Sequence, residues 1–169
     1  MKKQSVKQMC LAATFTAIVF VLTAYLQIPS HSGYIHIGDA FIMLSACLLP
    51  TPYAVFVGAG GAMLADCLTG YALWAPASII IKALTALMFT HKKETIINLR
   101  NLLGIIPSFI LCIGGYYLYE AIISGNFVAP LSGMLGSLMQ SSLSGILFII
   151  LGITLDKMKI KKFISGDRI

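Results

Sequence analysis

Six apolar stretches, separated by short breaks containing proline, glycine and polar residues, constrain the fold of this chain more than any other feature. They cover residues 8–28, 39–50, 52–68, 75–90, 101–122 and 130–155. A helix needs about 20 mostly apolar residues to cross a bilayer, and fewer where the membrane thins. Only 11% of the residues are charged, against about 25% in soluble domains, so a water-facing surface could not be covered. We therefore predict an all-α membrane protein in which one domain, residues 1–169, forms a bundle of six transmembrane helices.

Lysine and arginine are concentrated at three places and predict the orientation of the bundle. The three clusters are Lys2, Lys3 and Lys7 before the first stretch, Lys92, Lys93 and Arg100 around the link between the fourth and fifth, and Lys157, Lys159, Lys161, Lys162 and Arg168 after the sixth. The links near 29–38, 66–75 and 121–130 contain neither residue type. Because positively charged flanks stay in the cytoplasm, we predict that both termini are cytoplasmic. The net charge of +6 then reflects topology and contact with the lipid bilayer, and we predict no nucleic-acid binding.

Lys82 is the remaining basic residue and falls about two turns inside the fourth predicted helix, where an unpaired charge is costly. Asp39, Asp66 and Glu120 fall at those ends of helices two, three and five that the topology places outside. We expect Lys82 to pair with a carboxylate from this side. Such a pair would either fix helix packing or face a ligand, and the sequence leaves both interpretations open.

The sixth helix carries a polar stripe. Ser137, Gln140, Ser141 and Ser144 are spaced i, i+3, i+4 and i+7, so they share one helix face. Serines at such spacing commonly serve packing between membrane helices. The primary amide of Gln140 needs several partners in an apolar environment, so a ligand contact is the alternative.

Aromatic residues cluster on the same predicted side of the membrane. Tyr71 and Trp74 lie in a connection, while Tyr116 and Tyr117 lie one turn before Glu120. Aromatic residues at helix ends often form an interfacial belt. Together with an amide, a lysine and carboxylates, they would also suit a planar heteroaromatic ligand, which needs stacking surfaces and a few hydrogen bonds.

The stretch YIHIGD, residues 34–39, is unusually polar for its surroundings. We interpret Asp39 as an N-cap or first-turn carboxylate of helix two, Gly38 as the residue that allows a tight turn, and His36 as a contact at the rim of the site. A small intramembrane enzyme with His36 and Asp39 as acid and base, or as metal ligands, is the alternative. The chain has no metalloprotease, nucleophile-elbow, Walker A or dinucleotide motif, and its four cysteines lack metal-ligand spacing. We therefore predict no enzyme activity, no metal and no cofactor.

The run IHIGDAFIMLSACLLPTPYAVFVGAGGAMLADCLTGYALWAPASIIIKAL, residues 35–84, resembles the substrate-binding S components of energy-coupling factor (ECF) vitamin transporters. Shared features are the His-x-Gly-Asp cluster, a short helix, a proline turn, a glycine-rich helix ending in Ala-Asp, and Ala-Pro before a helix with a lysine. The run looks closest to the group assigned to hydroxymethylpyrimidine or pyridoxine. The glycine-rich segment GAGGAM, residues 58–63, suits close helix approach rather than phosphate binding.

The resemblance implies a multi-pass subunit of the prokaryotic plasma membrane that captures a water-soluble vitamin near the outer face. A transmembrane coupling protein and two ATPase subunits on other chains would then drive uptake. Family members carry an Ala-x-x-x-Ala pattern on helix one that contacts the coupling protein, and Ala13 and Ala17 match it here. Alanines four residues apart allow another helix to approach closely.

By position, the resemblance also implies a set of substrate-binding residues, drawn from the outer halves of helices four to six and the outer connections. The set comprises His36, Asp66, Tyr71, Trp74, Lys82, Tyr117, Glu120, Asn126, Ser137 and Gln140. We expect pyridoxine or hydroxymethylpyrimidine as the ligand, with pantothenate, niacin or another vitamin as alternatives. A structural membrane subunit without a ligand is a further alternative.

Overall fold

Helices dominate the fold. The computed structural model describes residues 3–30 and 33–165. The helices in these residues are α1 (Lys3–Ala24), α2 (Gly38–Leu48), α3 (Thr51–Leu68), α4 (Ala75–Leu87), α5 (Leu99–Ser124), α6 (Leu131–Lys157) and the short α7 (Ile160–Ser165). A 3-10 turn, Ala72–Trp74, precedes α4. Lys2 and Arg168, two of the predicted topology residues, lie outside the described residues.

Helices α1 to α6 fall in the six predicted stretches, but their lengths differ. Four of them are long and apolar enough to cross a membrane, over Val6–Ala24, Thr51–Leu68, Leu99–Ser124 and Leu131–Lys157. Helix α2 has 11 residues, which at about 1.5 Å per residue is far shorter than a bilayer core of about 30 Å. The apolar helical segment Ala72–Leu87, which combines the 3-10 turn and α4, is also short. The protein therefore has the apolar helices of a membrane protein, while six crossings stay a prediction.

A β-hairpin occupies the region where the first helix was expected to continue. Strands β1 (Gln27–Ser30) and β2 (Gly33–His36) pair antiparallel, with Gln27 opposite His36 and Pro29 opposite Tyr34. Helix α1 ends at Ala24 rather than near residue 28, because the chain is already extended where Pro29 follows. We call the end of the bundle that carries β1 and β2 the hairpin end. The connections α3–α4 and α5–α6 lie at this same end.

The opposite end, which we call the basic end, contains the start of α1, the α4–α5 link and α7. Lys7 Nζ donates to the carbonyls of Phe163 and Ile164 at 3.2 and 2.6 Å, so it binds the C-terminal turn of α7. Lys161 Nζ reaches the carbonyl of Lys93 at 2.7 Å. Asp156 accepts hydrogen bonds from two backbone N–H groups of the α4–α5 link. Lysines predicted to set topology therefore also fasten the chain segments at this end.

Helix α3 lies between α1 and α4 and packs closely against both. A Cβ on Gly58 would lie 2.7 Å from the carbonyl oxygen of Lys82 in α4, and a Cβ on Gly61 would lie 2.7 Å from a methyl carbon of Val19 in α1. Only glycine allows these approaches. The glycine-rich segment thus serves close helix packing, as the sequence predicted, and it fixes α4 at the level of Lys82.

Replacing Gly58 with alanine should destabilise the protein. The added methyl group meets the backbone of α4, so the helices must separate, at a cost of about 1–3 kcal/mol. Gly60→Ala is the matched control, since its Cβ would have no neighbour closer than 3.9 Å. Alanine is the better helix former there by about 0.5–1 kcal/mol. Thermal unfolding of the purified protein should therefore show a lower midpoint for Gly58→Ala and an unchanged or higher one for Gly60→Ala. Equal midpoints would contradict this account of α3 packing.

Candidate functional site

A cavity of about 70 Å³ lies at the hairpin end of the bundle. Its walls come from α1, β2, α3, the 3-10 turn, α4, α5, α6 and the connection before α6. Eight of the ten predicted substrate-binding residues line it: His36, Asp66, Tyr71, Trp74, Lys82, Tyr117, Glu120 and Ser137. The structure therefore brings together residues that are widely separated in sequence, in one partly enclosed space.

A buried ionic cluster lies at the side of this cavity. Lys82, whose side chain is almost fully buried, places Nζ 2.8 Å from each carboxylate oxygen of Asp39. Gln140 Nε2 donates to Asp39 Oδ2 at 2.9 Å. The cluster joins α2, α4 and α6, and Lys82 alone of the three lines the cavity. The expected pairing of Lys82 with a carboxylate is observed, and its partner is Asp39.

Of the two positions predicted for Asp39, the first turn of α2 is confirmed and the N-cap is wrong. Ile37 holds the N-cap position of α2, and no side chain makes a capping hydrogen bond there. Asp39 lies in the first turn of α2 and is buried, because a lysine in an apolar bundle requires a counter-charge at contact distance. The carboxylate therefore neutralises Lys82 rather than satisfying the start of its own helix.

Gly38 is required by space rather than by backbone conformation. The φ angle of Gly38 is not positive. Among the described residues, positive φ angles occur at Gly70, Gly125 and Lys159. A Cβ on Gly38 would instead overlap Thr23 Oγ1 and approach His36 Nδ1. The expected tight-turn role is therefore replaced by close packing of α2 against α1.

Hydrogen bonds hold both the ring and the backbone carbonyl of His36. Its Nδ1 accepts a hydrogen bond from the Gly38 N–H at 3.1 Å, and Thr23 Oγ1 is 3.4 Å away. Ser144 Oγ donates to the His36 carbonyl at 3.5 Å, which joins β2 to the polar stripe of α6. The structure thus places the His36 ring beside Gly38 and Thr23, while the Asp39 carboxylate is bound to Lys82 and Gln140.

Besides the contacts of His36, Tyr34 fastens the hairpin over the cavity through one hydrogen bond and one ring contact. Tyr34 Oη donates a short hydrogen bond to Asp66 Oδ1 at the end of α3. The Tyr34 ring meets the Tyr71 ring edge-on, with centroids 4.7 Å apart. Asp66 Oδ2 is buried and has no hydrogen-bond partner among the described residues. Tyr34 therefore closes one side of the cavity and leaves half of the Asp66 carboxylate open to a further contact.

Aromatic side chains form the opposite wall. Trp74 lies between Tyr116 and Tyr119, with ring centroids 6.1 and 5.8 Å from its own. Lys82 Nζ lies 5.2 Å from the centroid of the Tyr116 ring, a cation–π distance. Tyr116 Oη and Ser78 Oγ are 2.9 Å apart. This wall presents stacking surfaces with two hydroxyl groups between them.

Two predicted site residues lie off the cavity wall. Gln140 donates its hydrogen bond to Asp39 and does not line the cavity. It is nevertheless buried, so the polar face of α6 points into the protein. Asn126 is exposed, and its Oδ1 accepts the backbone N–H of Val128 at 2.7 Å, which orders the connection before α6. Asn126 therefore shapes a connection of the site without facing the cavity.

Nine further wall residues were not in the predicted substrate-binding set, although Tyr116 was named in the aromatic cluster. They are Thr23, Tyr34, Ala62, Ser78, Tyr116, Pro130, Gly133, Met134 and Gly136. Ser78 had a usable signal, since it precedes Lys82 by four residues and so lies on the same face of α4. Tyr34 had a weaker one, since it alternates with His36 along an extended strand.

A family model described as "ECF-type riboflavin transporter, S component" matches residues 3–157. The chain belongs to this family. The family consists of substrate-binding subunits of membrane transporters and not of enzymes, so the S component described here needs a binding cavity rather than catalytic groups. The cavity at the hairpin end, with its aromatic and polar walls, has that character.

A protein of Pyrococcus woesei, described as an uncharacterized protein in a gap 3′ region, is 32% identical to this S component over 99 residues. The matched part spans 58% of this chain and 66% of that relative, slightly less than two thirds of its length.

Removing Lys82 should destabilise this S component more than removing a surface lysine. In Lys82→Met the buried Asp39 carboxylate loses its counter-charge and keeps only Gln140, which should cost about 3–5 kcal/mol. The double variant Lys82→Met with Asp39→Asn should recover part of that loss, because no buried charge remains. Lys157→Met, at an exposed position, should change stability by less than about 0.5 kcal/mol. Thermal unfolding of the four proteins measures these effects, and a double variant no more stable than Lys82→Met would contradict the pairing argument.

Proposed function

We propose that this chain is the substrate-capture subunit of an ATP-driven importer in a prokaryotic plasma membrane. It binds a small water-soluble vitamin or precursor, with pyridoxine or hydroxymethylpyrimidine as the first candidates. The observation that carries the proposal is the cavity at the hairpin end, walled by aromatic rings and a few placed polar groups. Such a composition suits a planar ring with several hydrogen-bonding substituents.

The charge distribution supports an outward-facing cavity. The connections at the hairpin end contain no lysine or arginine, whereas eleven of the twelve lie in the two terminal segments and around the α4–α5 link. Since basic segments stay in the cytoplasm, the hairpin end faces outside and both termini face inside. A vitamin arriving from the medium then meets the hairpin and the aromatic wall first.

The size of the cavity favours a small ligand. About 70 Å³ holds a few water molecules, at about 10–15 Å³ each on this measure, so the walls must move even for a single ring. The turn side of the hairpin is the segment to move, because beyond buried His36 the short strands depend on the contacts of Tyr34. A three-ring flavin requires a larger displacement than pyridoxine or hydroxymethylpyrimidine does.

A panel of vitamins tests the binding proposal. At a ligand concentration of about 100 Kd, binding stabilises the folded protein by roughly 2.7 kcal/mol, which raises the midpoint of thermal unfolding. We expect a rise with pyridoxine or hydroxymethylpyrimidine and none with riboflavin, pantothenate or niacin. A rise with one of the latter would replace the proposed substrate, and no rise with any vitamin would contradict substrate capture itself.

The aromatic wall supplies a variant for the same measurement. Trp74→Ala removes a stacking surface from the cavity, and a lost aromatic contact of about 0.5–1.5 kcal/mol weakens binding roughly two- to tenfold. Tyr25→Ala is the matched control, because Tyr25 lies at the same end but is 73% exposed and does not line the cavity. Equal affinities for the two variants would show that Trp74 does not contact the ligand.

The proposed partners are a transmembrane coupling protein and two ATPase subunits, with α1 as the contact to the coupling protein. Ala13 and Ala17 are both exposed and lie one turn apart on α1. Their small side chains leave room for a partner helix, which is the basis of the expected contact.

A bulky residue on this face should separate uptake from binding. Ala17→Trp blocks close helix approach, so uptake in cells that contain the partner subunits should fall by at least about tenfold. Binding by the purified variant should stay as in the wild type. Ile110→Trp, on the exposed face of α5, is the control and should leave uptake unchanged. Normal uptake by Ala17→Trp would exclude this face as the coupling contact.

A further inference from the structure

The acidic groups of the cavity are not balanced by basic ones. Asp66 and Glu120 line the cavity, and neither is in an ion pair within the described residues. Lys82 also lines it, but its charge is neutralised by Asp39 at 2.8 Å. The wall therefore presents net negative charge to a ligand, although a lysine is part of it.

Asp66 also offers an unused acceptor. Its Oδ1 accepts from Tyr34, while Oδ2 is buried without a hydrogen-bond partner among the described residues. The Ser78 hydroxyl is also close enough to interact with the Asp66 carboxylate. It lies 2.9 Å from Tyr116 Oη as well, and its single proton can be donated to only one of these two partners at a time. A buried acceptor left unsatisfied is costly, so a ligand that donates a hydrogen bond to it gains affinity.

We propose that Asp66 makes the cavity selective for the charge and hydrogen-bonding character of the ligand. Ligands that present an O–H or N–H group, neutral or cationic, bind with this group on Asp66 Oδ2. Ligands that carry a carboxylate are rejected, because they bring a further negative charge next to Asp66 and Glu120 and offer no donor at that point. The inference rests on the proposed function and narrows its substrate class.

This selectivity divides the vitamins considered above. Pyridoxine, hydroxymethylpyrimidine and nicotinamide carry O–H or N–H donors and no carboxylate. Pantothenate, nicotinate and pyridoxate, the carboxylate form of pyridoxine, are anions near neutral pH. The cavity should accept the first group and exclude the second, so an S component for pantothenate or nicotinate is disfavoured by charge.

Matched ligand pairs test the inference on the unmodified protein. Dissociation constants are measured by isothermal titration for pyridoxine against pyridoxate and for nicotinamide against nicotinate. In each pair that shows binding, the carboxylate member should bind at least about tenfold more weakly, because it brings a further negative charge into a cavity that already contains Asp66 and Glu120. Equal or tighter binding of the carboxylate member would overturn the inference and leave substrate capture intact. If neither pair nor hydroxymethylpyrimidine binds, the inference and the proposed function both fail.

The variant Asp66→Asn assigns the selectivity to one residue. Asparagine keeps the shape, removes the charge and turns one acceptor into a donor, so the ratio within each pair should fall to less than about threefold. Glu94→Gln removes the same charge at the basic end, outside the cavity, and should keep the wild-type ratio. An unchanged ratio in a folded Asp66→Asn protein would exclude Asp66 as the selecting residue. The ligand pairs on the wild type decide the selectivity itself even if this variant does not fold.

Discussion

The ion pair between Lys82 and Asp39 is the contact on which the rest of the bundle depends. An isolated charge in an apolar interior is too costly to keep, so the two side chains must meet within contact distance and their remaining hydrogen-bonding capacity must be used. Gln140 supplies part of it from α6. Helices α2, α4 and α6 can therefore pack together in few arrangements, and the side of the cavity that α4 and α6 form is fixed.

Glycines allow the close packing of these helices, whereas the hairpin is held by side-chain contacts. Gly58 lets α3 contact the backbone of Lys82, and Gly38 lets α2 pack beside Thr23. Strands β1 and β2 have four residues each and are held to the bundle by side-chain contacts, those of Tyr34 with Asp66 and Tyr71 and those of His36 with Thr23 and Ser144. Helix-to-helix contacts thus give the cavity a rigid side, while its other side rests on contacts that a ligand can replace.

The sequence predicted those features that depend on local pattern or on the cost of burying a charge. Apolar stretches located the helices, and the isolation of Lys82 required a partner. Which carboxylate it meets depends on how α2 and α4 pack, and spacing along the chain does not encode this. Asp39 was therefore expected to serve the start of its own helix, as an N-cap or first-turn carboxylate. The hairpin was missed because its strands are four residues long and include Pro29, too short a pattern to distinguish from a loop. Gln140 was expected on the cavity wall because its amide needs hydrogen-bond partners. It lies off the wall, because that partner is Asp39.

The choice of partner for Lys82 also determines the chemistry of the cavity. Were Lys82 paired with Asp66, the carboxylate beside Tyr34 would be neutralised, and Asp39 would be left as an unpaired charge among α2, α4 and α6. Because the lysine is instead committed to Asp39, Asp66 keeps an open acceptor where a ligand would lie. The contact that stabilises the bundle thus leaves the negative charge at the hairpin end, where the connections carry no basic residue to offset it. Stability of the helix packing and selectivity of the cavity are consequences of the same pairing.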